Sequence, residues 1–233
     1  MQRDRFATPH AVRLHRVLSM VLRGSAILFD IDGTLVDSTP VVERSWRTWA
    51  REYYVDADEV LRVCHGRRTE DTIAQFVTPQ HRATAVARVQ ALELADFEGV
   101  VALPGARRLL DVLPRRRWAA VTSGGRSLMT ARLAAARLPV PEALICAEDV
   151  SAGKPSPEGY LKAAAELGFE GEHCVVVEDA PAGISAGRAA GARVLAVTTT
   201  HDDQQLAGAD VIVTDLSCVR VEFSDSGVVV LTQ

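Results

Sequence analysis

The sequence predicts an α/β protein, a Rossmann-like parallel sheet core with an inserted helical cap subdomain, and three observations carry that expectation. Short apolar runs recur along the chain, helical patterns separate the later runs, and about seventy residues between the first run and residue 104 show helix signals only. Ala26-Ile27-Leu28-Phe29 is continuously apolar, as expected of a parallel strand buried on both faces. Further strands are expected at Trp118–Val121, Ala143–Cys146, Cys174–Val177, Val194–Val197 and Val211–Val213. In such sheets ligands bind beyond the carboxyl ends of the strands.

Within the insert, Thr39 as N-cap with Pro40 at the first helical position opens a helix through Trp46, Trp49 and Tyr53, and Thr78-Pro79 opens another toward Leu94. An insert of this size reads as a cap over the site; a helical layer packed permanently on the sheet is the alternative. Val219 to Leu231, interrupted by Ser224-Asp225-Ser226-Gly227, reads as a hairpin at the core edge. The expected organisation is an extension without assigned function at 1–23, a core of 24–38 and 100–218, a cap of 39–99 and a terminal hairpin at 219–233.

Composition sets bounds on partners. The chain has 233 residues, 48% of them apolar, and a formal net charge of −4, which argues against nucleic acid and leaves a small molecule open. Cys64, Cys146, Cys174 and Cys218 show no C-x-x-C spacing, so buried thiols in a reducing cytoplasm are expected rather than zinc or disulfides. Residues 1–23 hold several arginines, but the apolar run Val17–Leu22 is broken by Ser19 and is too short for a signal core or a membrane span.

Four separated motifs carry the chemistry. In Asp30-Ile31-Asp32-Gly33-Thr34-Leu35-Val36-Asp37-Ser38, residues i and i+2 share one side of an extended chain, so both acids can face one ligand while Gly33 turns the backbone. A calcium loop starting at Asp30 is excluded, since Leu35 and Val41 occupy the positions that need Gly and Glu. Val121-Thr122-Ser123-Gly124 offers a hydroxyl and backbone N–H groups to phosphate oxygens at a strand end. Gly153-Lys154-Pro155-Ser156-Pro157 contains one of only two lysines in an arginine-rich chain, a compact point charge suited to a phosphate oxygen or a buried carboxylate. Val177-Glu178-Asp179-Ala180-Pro181 puts adjacent carboxylates before a helix. They either complement the helix dipole or, crowded with Asp30, call for a divalent cation with oxygen ligands, which Mg2+ suits.

In this order and spacing, the four motifs resemble those of the haloacid dehalogenase superfamily of phosphatases, from about Ser25 to Asp215. Within it the chain looks like the small sugar-phosphate and polyol-phosphate phosphatases, and His65-Gly66-Arg67-Arg68-Thr69 is similar to their cap substrate loop. The resemblance implies a phosphomonoesterase in which Asp30 is the nucleophile forming an aspartyl-phosphate and Asp32 the general acid and base. It also implies Mg2+ held by Asp30, the Asp32 carbonyl and Asp179, with Glu178 ligating directly or through water. Thr122, the Ser123 N–H and Lys154 would hold the phosphoryl group, and His65, Gly66 and Arg67 would meet the leaving group.

The nearest rival is a β-phosphoglucomutase, whose cap His stands twelve residues after the nucleophile; here that residue is Val42. A second is a catalytically retired domain that binds a phosphorylated metabolite. His65 and Arg67 can equally be surface residues, Trp46 and Trp49 are expected to pack the cap interior, and His10, His15, His81, His173 and His201 show no ligand spacing. A small phosphorylated metabolite is the expected partner, with no nucleic acid or membrane, in a cytoplasmic monomer.

Overall fold

Strand and helix alternate from Val101 to Val197 in the computed structural model, which describes residues 20–224 and 227–232. Expectations for residues 1–19 and for the Asp225-Ser226 turn lie outside the described residues. In chain order the elements are β1 (Val21–Gly24), β2 (Ala26–Phe29), β3 (Val36–Asp37), α1 (Thr39–Tyr53), α2 (Ala57–Cys64), α3 (Thr69–Ile73) and α4 (Arg82–Ala95). They continue with β4 (Val101–Ala102), α5 (Ala106–Val112), β5 (Trp118–Val121), α6 (Arg126–Ala135), β6 (Leu144–Ile145) and α7 (Glu158–Glu166). The last are β7 (Cys174–Glu178), α8 (Pro181–Ala189), β8 (Arg193–Val197), β9 (Val211–Val213), β10 (Val219–Ser224) and β11 (Gly227–Thr232).

Six strands form one parallel sheet in the order β6-β5-β2-β7-β8-β9. Their alternation divides the core into two apolar layers. Ile27, Phe29, Ala120, Val175 and Val177 pack beneath α5 and α6, whereas Ala26, Leu28, Val121, Val176 and Val194 pack beneath α7 and α8. Both faces are therefore covered, which is why the strands read as unbroken apolar runs. Burial of a large apolar side chain contributes about 1.5–3 kcal/mol. Because β2 lies between β5 and β7, the loops after these three strands meet at one edge of the sheet.

The cap has its own core, formed by Trp46, Trp49, Ala50, Val60, Ile73, Ala85 and Val89. Trp46 and Trp49 meet edge-to-face at 5.4 Å, and the Trp49 indole N–H donates to the Ala85 carbonyl at 3.0 Å. The antiparallel pair β3–β4 forms the stem on which the cap is mounted.

Two expectations need correction. The N-cap of α1 is Ser38 and not Thr39, since the Ser38 carbonyl receives the N–H groups of Val41 and Val42 while the Asp37 carboxylate accepts from Thr39 N at 3.0 Å. Pro40 thus occupies the second helical position, where its missing N–H has no intrahelical partner to lose. The terminal hairpin is the larger part of a three-stranded sheet, β1-β11-β10, whose third strand comes from the last residues of the expected extension, Val21 to Arg23, together with Gly24. Local pattern cannot reveal that pairing, because Val21 and its partner Leu231 lie at opposite ends of the described chain.

Candidate active site

At the carboxyl edge of β2 and β7, Asp30, Glu178 and Asp179 are buried with one carboxylate oxygen each within 4.8 Å of the others. Gly33 makes this crowding feasible. Its φ is +88°, and a Cβ there would lie 2.2 Å from Asp179 Oδ2. Gly183, in the first turns of α8, leaves space for Glu178 in the same way, since a Cβ would meet Oε1 at 1.7 Å.

Lys154 enters from the loop before α7. Its Nζ donates to Asp30 Oδ1 at 2.5 Å, to Glu178 Oε1 at 2.6 Å and to the Val121 carbonyl at 3.3 Å. The Tyr160 hydroxyl donates to the same Glu178 oxygen at 2.6 Å, and Glu178 Oε2 accepts from the N–H groups of Asp179 and Ala180. Glu178 is thus primarily the anchor of Lys154. Thr200 Oγ1 donates to Asp179 Oδ2, and His201 Nδ1 lies 3.0 Å from the Asp179 carbonyl, a role that the spacing of the histidines did not suggest.

Three buried carboxylates face one ammonium, so negative charge is in excess. Burial pushes Asp30 well above the usual carboxylate range, with Lys154 opposing and Glu178 and Asp179 adding to the rise. Asp179 is pushed up to about 7 by burial and by Glu178, against the Thr200 hydrogen bond and Lys154. For Lys154 burial works against the charge, but Asp30 and Glu178 outweigh it and hold the ammonium upward of its ordinary value.

Asp32 belongs to a second charged group. Its Oδ2 accepts from Arg132 Nη1 at 2.7 Å, and Arg132 Nη2 donates to Glu93 Oε1 at 3.1 Å, with Arg132 and Glu93 only 3% and 5% exposed. Asp32 Oδ1 is buried and makes no hydrogen bond. Burial raises Glu93 above the usual carboxylate range, with Arg132 opposing and Asp32 adding to the rise. Neither Arg132 nor Glu93 was found by motif reading. The available signal was register: Arg132 falls on the buried stripe of α6 with Leu128, Met129 and Leu133, and Glu93 on that of α4 with Ala85 and Val89.

A cavity of about 300 Å³ lies between cap and core, bounded by Asp30, Asp32, Thr122 and Ser123 below and by Trp46, His65, Gly66, Arg67 and Gln90 above. Lys154 sits behind Asp30 rather than on this wall. The Thr122 hydroxyl accepts from Gly124 N at 3.0 Å, leaving its proton to donate, while Ser123 Oγ donates to the Gly66 carbonyl of the cap at 3.0 Å. Arg68 turns away from the cavity toward the Ala147 and Val150 carbonyls. Burial, with His201 adding, lowers His65 below the ordinary imidazole value.

Sheet topology, acidic strand ends and a helical lid together define a capped enzyme of the doubly wound α/β class. Residues 25–191 match the family model described as haloacid dehalogenase-like hydrolase, and the chain belongs to that family of hydrolases. It is 41% identical over 215 residues to hexitol phosphatase A of Escherichia coli (strain K12), covering 90% of this chain and 100% of that relative. Glycerol-1-phosphate phosphohydrolase 1 of Saccharomyces cerevisiae is 38% identical over 215 residues, 86% of each chain. Among solved structures, a hydrolase from Pseudomonas syringae superposes with a TM-score of 0.73 at 26% identity, covering 83% of this chain and 94% of that one. No helix among the described residues is long and apolar enough to cross a membrane.

Proposed function

We propose that this protein is a phosphomonoesterase that hydrolyses a small sugar or polyol monophosphate through an aspartyl-phosphate on Asp30, with Mg2+ as its cofactor. The reading rests on one observation: Asp30 and Asp32 border a single capped cavity, with Thr122 beside them and Lys154 and Asp179 packed around Asp30.

The residues fit a hard divalent cation. Their donors are all oxygens, and Lys154 alone leaves the buried carboxylates undercompensated. Asp30, the Asp32 carbonyl and Asp179 would hold the ion, with Glu178 completing the set directly or through water. When bound, Mg2+ offsets the charge of the phosphoryl oxygens as they transfer.

In the first half-reaction Asp30 attacks phosphorus, the ester P–O bond breaks, and Asp32 gives its proton to the departing alkoxide. Asp32 then takes a proton from water as that water attacks the phosphorus, releasing inorganic phosphate and restoring Asp30. Thr122 and the Ser123 N–H hold phosphoryl oxygens throughout, and Lys154 stays charged behind Asp30.

The substrate class is supported by the polar cap wall of His65, Arg67 and Gln90, by a cavity sized for a small leaving group, and by relatives named for hexitol and glycerol phosphates. Val42, buried on the same wall, has no proton to exchange, which favours hydrolysis over mutase chemistry. The test is phosphate release from a panel of sugar, polyol and glycerol phosphates with Mg2+ and with EDTA. Magnesium-dependent release is expected; silence on every ester removes the proposal.

A further inference from the structure

Arg132 is a buried cation that joins two parts of the molecule. It projects from α6 of the core, pairs there with Asp32, and receives its second carboxylate from Glu93 on α4 of the cap. On the phosphatase reading above, we propose that Arg132 is a positioning residue for Asp32, and that Glu93 makes this positioning conditional on the cap being closed.

A guanidinium out of water is tolerated when its donors are paired in good geometry. With the cap down, Arg132 has a carboxylate on each terminal nitrogen while its buried Nε makes no hydrogen bond, and its planar fork fixes the direction of both carboxylates. Asp32 Oδ2 is thereby tied in place, Oδ1 lies buried without a hydrogen bond, and the Asp32 side chain is held at the border of the cavity. Lifting the cap removes Glu93, admits water to the guanidinium and loosens its hold on Asp32. Other cap–core hydrogen bonds, from Ser123 to the Gly66 carbonyl and from Arg68 to the Ala147 and Val150 carbonyls, close the same seam without reaching the acid. Glu93 thus reports closure to the one group that must move a proton, and withholds that group when the cleft stands open to water.

A leaving-group comparison separates this role from structural adhesion. An alkoxide needs a proton in order to leave, whereas p-nitrophenolate does not, and kcat/KM covers the steps through phosphoryl transfer. For sorbitol 6-phosphate, Glu93→Gln is expected to lower kcat/KM about 10-fold and Arg132→Met about 100-fold. With p-nitrophenyl phosphate both variants should lose less than about 3-fold, and Arg132→Lys should recover most of the alkyl-ester activity. Equal losses on the two esters overturn the inference and reduce the triad to a latch. Absence of release by the wild type from either ester overturns the functional reading itself, and the inference with it. Should Arg132→Met fail to fold, Glu93→Gln keeps the shape of the side chain and returns the same comparison.

Discussion

Tyr160 and Lys154 donate to the same oxygen, Glu178 Oε1, each at 2.6 Å. The phenol shares the work of holding the carboxylate that holds the lysine, and Tyr160 lies fully buried on α7.

Tyr160→Phe deletes one buried hydrogen bond and leaves Glu178 to Lys154 and two backbone N–H groups. A loss of about 1–2 kcal/mol in urea unfolding is expected, with a several-fold fall in turnover as Lys154 gains freedom. Unchanged stability would show that a second donor replaces the phenol.

Asp30→Asn preserves the shape of the nucleophile and removes its attack. Turnover should vanish while a phosphate ester still binds, as measured by calorimetry beside a phosphate-release assay. A variant retaining a few per cent of wild-type rate would remove Asp30 as nucleophile.

The metal-free protein should become less stable as pH rises. Asp179 ionises near its ordinary value of 3.8 when unfolded but at about 7 when folded. Below about pH 4 both states hold the proton; between there and pH 7 only the unfolded state releases it, so stability is lost across that window. Asp30 and Glu93, also raised, act in the same direction. Thermal unfolding in EDTA should give a lower Tm at pH 8 than at pH 5, and Mg2+ at pH 8 should raise it again. A Tm independent of both would contradict the charge excess.

Gly33→Ala places a Cβ against Asp179 Oδ2 at a positive φ. The backbone alone disfavours it by about 1–2 kcal/mol, and the clash displaces Asp179. Mg2+ affinity, read by titration, should fall more than 10-fold; an unaltered affinity would exclude Asp179 as a ligand.

The sheet was legible because a strand covered on both faces must be apolar at every position, and Ala26–Phe29 and Cys174–Val177 meet that demand locally. The acidic and hydroxyl motifs were legible because each follows such a strand, and adjacency of β5, β2 and β7 then gathers them, whereas Lys154, in the loop before α7, was legible as one of only two lysines. Arg132 and Glu93 escaped because Arg132 acts 100 residues from Asp32 and 39 from Glu93, distances that no local period spans. Tyr160 and Thr200 escaped for a related reason, since each touches a motif through a side chain whose neighbours in sequence advertise nothing. A charged residue in an apolar register was the one local sign, and it pointed to the triad without naming its partners.

The pairing of β1 with β11 also orders events during synthesis. Val21–Gly24 leaves the ribosome before every other strand described, yet its partner Gly227–Thr232 is the last of them to be made. Until then the first strand has an open edge, and the loop to be closed is nearly the whole chain, so its sheet is a late and entropically expensive step. Deleting β11, the middle strand of that sheet, should therefore leave both β1 and β10 unpaired beside an otherwise assembled nucleus, ready templates for aggregation.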